Sequence, residues 1–223
     1  MKRLLVLALV CLAVVSCKKD DEDDDNVSNH CGSNYTCVPD TAFEQKLIDF
    51  GYDNVMDGKV LTANISSVDS LDVTYENISD LTGIEDFTAL THLTCWYNQL
   101  TSLDVSNNTA LTYLNCQVNQ LTSLDVSQNT DLTSLECYGN SIYSLDLSNN
   151  TALTYLDCSG NGYLNCLNVK NGANGIMTTF IANYNAELRC IEVDDPAWAN
   201  QYWTLVDSGV TFSTNCNSFA PCF

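Results

Sequence analysis

The sequence predicts a β-rich solenoid, a fold in which short coils of chain stack into a rod. The first observation is a repeat of 21 residues, which begins at Leu90 and returns at Leu111, Leu132 and Leu153. The second is an alternation of apolar and polar residues inside each copy, typical of a strand with one buried face. Because one such coil cannot bury its apolar side alone, successive copies must stack. With 45% hydrophobic residues, the chain of 223 residues can fill this core.

Charge and residue content exclude several classes of function. Asp and Glu number 28 against 8 Lys and Arg, which gives a formal charge of -20. Without a basic surface the chain is not expected to bind nucleic acid. Two His leave little room for His-based catalysis or zinc binding. Since hydrolase, metalloprotease and phosphate-loop motifs are also absent, we expect no enzyme, no metal and no cofactor.

The first 16 residues have the pattern of a secretion signal. Lys2 and Arg3 precede an apolar run over residues 4–15, which is too short to span a membrane as a helix. The run ends in Val-Val-Ser-Cys, which resembles the lipobox of bacterial lipoproteins. The resemblance implies cleavage after Ser16 and a lipid on Cys17, through which the protein would contact a membrane. An ordinary secretion signal with an incidental cysteine is the alternative.

Residues 17–38 are expected to form a lipidated acidic tether and linker. Residues 20–25 are all Asp or Glu, and such a run stays solvated because it cannot pack. A Lys-Lys pair followed by acidic residues directly after Cys17 resembles the export tag of surface lipoproteins in some Gram-negative bacteria. That resemblance implies an outer-membrane lipoprotein facing the medium. A charged spacer facing the periplasm is the alternative.

Residues 39–67 are expected to form an N-terminal cap that contains a helix. Asp40 can cap the start of this helix, and Phe43, Leu47 and Phe50 recur at helical spacing. The helix would close the apolar end of the first coil.

Residues 68–193 contain about six coils. Their pattern, Leu-x-x-Leu-x-Cys-x-x-Asn-x-Leu, begins at Leu90. It resembles the leucine-rich repeat, with Cys at the third apolar position. The resemblance is to secreted bacterial leucine-rich repeat proteins of the internalin-like group, and it implies parallel coils of 21 residues with a cap at each end.

Three residue types recur at fixed places in the repeat and predict three ladders. An asparagine ladder is expected to bond buried turn backbone; it comprises Asn98, Asn119, Asn140 and Asn161. A solvated aspartate ladder, with cation binding as the alternative, comprises Asp104, Asp125 and Asp146. A cysteine ladder comprises Cys95, Cys116, Cys137 and Cys158. Because neighbouring strands lie about 4.8 Å apart, these cysteines are expected to be buried thiols rather than disulfides, with metal ligation as the alternative.

Residues 194–223 are expected to form a C-terminal cap, which would cover the last coil with aromatic and apolar side chains: Trp198, Tyr202, Trp203, Val206 and Phe212.

Six further cysteines lie outside the ladder of the mature chain, and an even number in an oxidising compartment favours disulfides. We expect Cys31 to pair with Cys37 and Cys190 with Cys216, which leaves Cys166 and Cys222. The number of possible pairings keeps this assignment open.

The outward positions of the repeated strands vary between copies while the framework does not. Packing fixes the framework, so the free positions are expected to form a ligand-binding surface, here called the binding face. The binding face comprises Thr94, Trp96, Tyr97, Tyr113, Asn115, Gln117, Glu136, Tyr138, Tyr155, Asp157, Ser159 and Tyr184. Its aromatic side chains suit an interface, although Tyr and Thr also suit strands in general.

These observations predict a surface-anchored, non-catalytic recognition or adhesion module for a protein or glycan partner. A structural spacer without a specific ligand is one alternative. A glycan hydrolase is another, and it would need two carboxylates facing each other across a cleft, with Glu136 and Asp157 as the candidates.

Overall fold

The computed structural model describes residues 31–216, which form a stack of coils. Strands of successive coils pair to form two parallel sheets. The predicted signal peptide, the lipidation site at Cys17, the acidic run and Cys222 lie outside these residues. Among residues 31–216, none of the helices has the length and apolar character needed to cross a bilayer.

The chain begins with a small antiparallel sheet and two helices. Strand β1 (Tyr35–Cys37) pairs with β2 (Lys59–Leu61). In the chain, helix α1 (Thr41–Asp49) connects the two strands and helix α2 (Thr62–Ile65) follows β2. The predicted disulfide between Cys31 and Cys37 is confirmed.

Helix α1 starts where the sequence predicts a helix. The Asp40 carboxylate accepts the backbone N–H groups of Ala42 and Phe43, and Phe43 and Leu47 are fully buried in the core. Phe50 differs from the expected apolar stripe: it follows the last helical residue and is 42% exposed. Its ring packs instead against Tyr52 at 5.8 Å and lies 5.0 Å from the ammonium group of Lys46. That residues 39–67 and 194–223 act as caps stays a prediction.

Seven short parallel strands form the main sheet. In spatial order they are β3 (Ser70–Asp72), β4 (His92–Thr94), β5 (Tyr113–Asn115), β6 (Ser134–Glu136), β8 (Tyr155–Asp157), β10 (Thr179–Ala182) and β12 (Leu205–Val206). Their pairing is in register with the repeat, so that Leu93 lies opposite Leu114 and Leu114 opposite Leu135. A constant repeat length places equivalent residues side by side, which confirms the stacked solenoid.

A second parallel sheet lies on the opposite side of the coils. It consists of β7 (Ser144–Asp146), β9 (Cys166–Asn168), β11 (Cys190–Glu192) and β13 (Thr211–Ser213). Two short 3-10 helices, Ile84–Asp86 and Asn174–Ile176, and helix α3 (Pro196–Tyr202) complete the described chain. Of the three α-helices among residues 31–216, α1 and α2 lie before the repeats. The coils themselves are mostly extended, as the alternation of apolar and polar residues predicts.

The sheets continue one coil further than the repeats indicate. Strand β12 extends the main sheet beside β10, and β13 extends the second sheet beside β11. This last coil contains helix α3 and lacks the leucine and cysteine motif. Its interior is filled instead by Trp203, which is 5% exposed and stacks on Phe180 at 4.0 Å between ring centroids. Strand pairing depends on backbone hydrogen bonds rather than on particular side chains, so it continues in a coil that lacks the repeat motif.

The four ladder cysteines are free thiols in the interior of the stack, all of them 0% exposed. Burial raises the pKa of the Cys116 thiol to about 12 because the thiolate would lose its hydration. The same cause raises the pKa of Cys95, Cys137 and Cys158. The interpretation of this row as small apolar fillers is confirmed.

The asparagine ladder bonds each coil to the previous one. The Nδ2 of Asn119 donates to the carbonyl of Cys95 at 3.0 Å and to that of Cys116 at 3.1 Å, and its Oδ1 accepts the N–H of Leu100 at 3.0 Å. Asn98, Asn140 and Asn161 repeat this arrangement. Buried turn backbone is thus satisfied by side-chain amides, as predicted.

Sequence reasoning missed a second asparagine row on the other side of the coils. Asn108, Asn129 and Asn150 are fully buried, and the Nδ2 of Asn129 donates to the carbonyls of Val105 at 3.0 Å and Asn108 at 2.9 Å. The Oδ1 atoms of these three asparagines have no hydrogen-bond partner among residues 31–216. Recurrence of Asn-Thr at the repeat spacing is the signal that could have revealed this row.

The predicted disulfide between Cys190 and Cys216 is also confirmed, and it ties the end of the described chain to β11. Cys166 is likewise disulfide-bonded.

Candidate recognition face

The residues of the binding face lie along the main sheet and in the turns that follow its strands, but they differ in exposure. Tyr97, Tyr138 and Tyr184 are exposed at 51%, 42% and 73%. Asn115 and Ser159 are buried at 9% and 5% exposure, so these two can support their neighbours but offer little surface. The remaining residues, which are half-buried, are Thr94, Trp96, Tyr113, Gln117, Glu136, Tyr155 and Asp157.

An aromatic cluster occupies the N-terminal end of the face. The Tyr75 ring lies 4.8 Å from the Trp96 ring in an edge-on arrangement and is stacked at 4.3 Å on the Tyr97 ring. Both tyrosines remain about half exposed, at 52% and 51%. Rings packed on each other and open to solvent provide large, rigid contact area.

The backbone beneath this cluster is in the left-handed region. Tyr75 has φ of 60° and Tyr97 has φ of 55°, values that glycine adopts freely and that cost other residues about 1 kcal/mol or more. The equivalent turn positions of the later coils are also left-handed: Val118, Gly139, Gly160 and Tyr184. Two coils have glycine at this turn position, whereas the coils of the aromatic cluster have tyrosine there despite the less favourable backbone conformation.

Tyr138 lies against the next coil. A side chain on Gly160 would place its Cβ 2.9 Å from the Tyr138 ring, so glycine is needed both for this contact and for φ of 65°. The alignment of the two turns therefore fixes where the Tyr138 ring lies.

Glu136 is the centre of a polar network in the middle of the face. Its Oε1 accepts the phenolic hydrogen of Tyr113 at 2.8 Å, and its Oε2 accepts from the Nε2 of Gln117 at 2.6 Å. Asn115 supports both donors, because its Nδ2 donates to the Tyr113 hydroxyl at 3.4 Å and its Oδ1 accepts the N–H of Gln117 at 3.1 Å. Three side chains of one coil thus orient a carboxylate on the next.

Asp157 lies directly beside Glu136 on the neighbouring strand, because the two residues are register partners of β8 and β6. Its Oδ1 accepts hydrogen bonds from the N–H and the hydroxyl of Ser159. The two carboxylates share one surface of the sheet and do not face each other across a cleft, which a glycoside hydrolase requires.

The aspartate ladder borders a different surface, next to the second sheet. A groove of about 600 Å³ is lined there by Asp80, Glu85, Ser102, Asp104, Ser123 and Asp125, among others. Hydrogen bonds from Ser106 lower the pKa of the Asp104 carboxyl, and its Oδ1 accepts the Ser106 N–H at 2.9 Å. Asp125 and Asp146 likewise accept the N–H groups of Ser127 and Ser148, so each ladder carboxylate has a local partner. Cation binding there stays a hypothesis.

A third carboxylate group, which the sequence did not single out, lies near helix α1. Oxygens of Glu44, Asp53 and Asp57 come within 4.8 Å of one another. Glu44 is buried, and its Oε1 accepts the N–H groups of Asp57 at 2.7 Å and Gly58 at 2.6 Å. Its evident role is to hold the loop before β2.

Comparisons with known proteins found internalins of Listeria monocytogenes. No family model matches the chain. A segment of 44 residues is 50% identical to Internalin J of Listeria monocytogenes serotype 4b (strain F2365), and it covers 20% of this chain but 5% of Internalin J. The matched segment is thus a small part of that protein.

Solved structures of the same group are also similar. A functional domain of InlJ from Listeria monocytogenes, which includes a cysteine ladder, is 31% identical over 71% of this chain and 38% of that one, with a TM-score of 0.47. Internalin C2 from Listeria monocytogenes strain 4b F2365 is 16% identical over 84% of this chain and 94% of that one, with a TM-score of 0.46.

The chain has a repeat with the leucine-rich pattern, and its coils stack in parallel register. The match to Internalin J accompanies these two features. The chain itself thus shows a leucine-rich repeat solenoid, a short segment of which is similar to Internalin J.

Proposed function

We propose that this chain is a non-catalytic recognition or adhesion module that binds a protein or glycan partner through the binding face. The internalin-like repeat fold suggests a protein-interaction module, and no nucleic acid is expected as a partner. The proposal includes anchoring to the bacterial outer membrane through a lipid on Cys17, with the face turned to the medium.

The aromatic cluster carries this proposal. Tyr75 and Tyr97 hold large exposed rings on backbone that favours glycine. Unfavourable backbone is retained where it serves a contact, and exposed aromatic side chains are enriched at binding hot spots. Together with Tyr75 the face runs along six strands, from β3 to β10, and the spacing of about 4.8 Å between strands gives a length of about 24 Å. That length suits a standard protein interface of about 800 Å² per partner.

The test is a binding array of surface proteins and glycans, probed with the full mature chain. We expect saturable binding that falls at least about tenfold in the double variant Trp96→Ala/Tyr138→Ala, because both rings lie on the face. The matched control is Tyr143→Ala/Tyr163→Ala, a pair of contacting tyrosines exposed at 51% and 56% outside the face. Equal binding by both double variants would contradict the proposed surface.

The spacer alternative makes a different prediction. Deleting residues 112–132 removes one 21-residue repeat and keeps the remaining coils in register. A spacer would keep its function with a slightly shorter rod. A recognition module would lose affinity, because the deletion removes Gln117 and brings non-neighbouring parts of the face together.

The hydrolase alternative is tested by turnover on a glycan panel. We expect none, since Glu136 and Asp157 lie side by side on an open surface. Hydrolysis that Glu136→Gln abolishes would contradict a non-catalytic role.

Location and anchoring are tested on intact cells. Protease shaving should release repeat peptides if the protein faces the medium. Cys17→Ser should abolish metabolic labelling of the protein with fatty acid and release the protein from the membrane fraction. Retention of the label in that variant would contradict lipidation at Cys17.

A further inference from the structure

The geometry points to a subsite for a cationic side chain at Glu136 and Asp157, which an arginine or lysine on the surface of a protein partner would occupy. This inference rests on the proposed function and specifies its partner as a protein rather than a glycan.

Glu136 is oriented but not neutralised. Both of its hydrogen-bond donors, the Tyr113 hydroxyl and the Gln117 amide, are uncharged groups. A carboxylate offers about four lone-pair sites, so each oxygen can still accept a further hydrogen bond. A carboxylate fixed in this way loses little side-chain entropy when a guanidinium or ammonium group binds.

Asp157 adds a second negative charge beside the first. It is the register partner of Glu136, and adjacent strands lie about 4.8 Å apart. Like charges directly opposite each other on a sheet are destabilising. A cation between them would remove this repulsion, so the pair favours a positively charged occupant.

No basic side chain of residues 31–216 compensates this pair. Those residues contain four Lys and Arg, and each one is engaged elsewhere. Lys46 pairs with Glu76, Lys59 with Asp57, Lys170 with the carbonyl of Thr214, and Arg189 with the carbonyl of Ala186. The imidazole of His92 is hydrogen-bonded to Thr91 and stacked on Tyr113 at 5.9 Å. The described residues therefore supply no countercharge to Glu136 and Asp157.

Two phenols border the pair. Burial raises the pKa of Tyr113, and its hydrogen bond to Glu136 raises it further. Burial also raises the pKa of Tyr155, with additional contributions from the charges of Glu136 and Asp157. Burial is the larger cause in both cases, and the smaller contributions come from the negative charges of Glu136 and Asp157. Aromatic rings next to carboxylates add cation–π attraction for a bound guanidinium.

The aromatic cluster sets the spacing of the partner's contacts. Trp96 follows β4 and Glu136 lies on β6, two strands further along the sheet. That separation is about 10 Å, which an extended peptide covers in about three residues. The occupant is therefore a segment with an aromatic or aliphatic residue about three positions from a basic one.

The experiment uses immobilised synthetic peptides in which an aromatic residue and an arginine are about three positions apart. Matched peptides carry citrulline, which has the shape of arginine without its charge. We expect the full mature chain to bind the arginine peptides at least about tenfold more tightly than the citrulline peptides. Binding should weaken as the salt concentration rises from about 0.05 M to about 0.5 M.

Glu136→Gln tests the site itself, because it removes the charge and nearly preserves the shape. We expect this variant to lose the preference for arginine over citrulline, while Glu187→Gln, which neutralises an exposed carboxylate outside the face, keeps it. Thermal unfolding followed by circular dichroism shows that both variants are folded. Equal binding of the two peptide series, no binding of either, or an unchanged preference in Glu136→Gln would overturn the inference.

The test separates this inference from the proposed function. If Trp96→Ala/Tyr138→Ala abolishes binding to an array partner and Glu136→Gln leaves it unchanged, the face recognises its partner without a cationic subsite. If neither variant affects binding to that partner, both proposals fail.

Discussion

Asp40 and Ser79 join the N-terminal helix to the first coil through a single carboxylate. The Oδ1 of Asp40 accepts the N–H groups of Ala42 at 2.9 Å and Phe43 at 3.0 Å. Its Oδ2 accepts both the N–H and the hydroxyl of Ser79 at 2.8 Å. One side chain therefore starts helix α1 and also attaches that helix to the solenoid.

Asp40→Ala should destabilise the protein by about 2 kcal/mol, because it removes a helix cap and leaves the Ser79 backbone without its acceptor. Urea unfolding followed by circular dichroism measures the change. Asp131→Ala, which truncates an exposed aspartate, serves as the control and should fall within about 0.5 kcal/mol of the parent. Equal effects of the two substitutions would contradict the role of Asp40.

The same carboxylate predicts a dependence of stability on pH. Burial tends to raise the pKa of Asp40, but hydrogen bonds from Ser79, Phe43 and Ala42 outweigh it, and the pKa is lowered from 3.8. A lowered pKa in the folded state gives stability that is present above the unfolded-state value and is lost as pH falls through the folded-state value. We expect unfolding free energy to drop below about pH 4, and to drop less steeply in Asp40→Asn.

Asn119→Ala should destabilise the protein by about 3 kcal/mol. It leaves the buried N–H of Leu100 without its acceptor and removes one of the two amide donors to each of the carbonyls of Cys95 and Cys116. Asn107→Ala is the matched control, since this exposed asparagine precedes a buried one in the same coil and should change stability little. A loss below about 1 kcal/mol for Asn119→Ala would show that the backbone finds other partners.

The ladder cysteines should resist thiol reagents while the protein is folded. The thiolate is the reactive form, and burial raises the pKa of Cys116 to about 12. At about pH 8 we expect alkylation of Cys95, Cys116, Cys137 and Cys158 only in denaturant, as read by peptide mass mapping. Rapid labelling of Cys116 in the native protein would be inconsistent with an interior row.

Gly160→Ala should destabilise the protein by about 1 to 2 kcal/mol, because it places a side chain on left-handed backbone and 2.9 Å from the Tyr138 ring. The displaced ring should also weaken binding through the face. Gly162→Ala is the control, since a Cβ there meets nothing within 4 Å. Its stability and binding should match those of the parent.

The aromatic cluster shows where sequence reasoning stopped. Trp96 and Tyr97 were predicted to lie on the face, but their packing with Tyr75 depends on left-handed backbone at two turns. The signal for this conformation lies outside the cluster, in later copies of the repeat, where Gly139 and Gly160 occupy the position of Tyr97. Likewise, the partners of Glu136 lie 19 and 23 residues away in the chain and come together only through stacking.

The sequence by itself determined the solenoid, the interior row of cysteines and the first asparagine ladder. A fixed repeat length forces equivalent residues side by side, and alternation decides which of them point inward. The tertiary structure alone decided the extra coil, the hydrogen bonds of the second asparagine row and the charged centre of the face. These features depend on contacts between neighbouring coils, where backbone angles and side-chain directions vary although the repeat length does not.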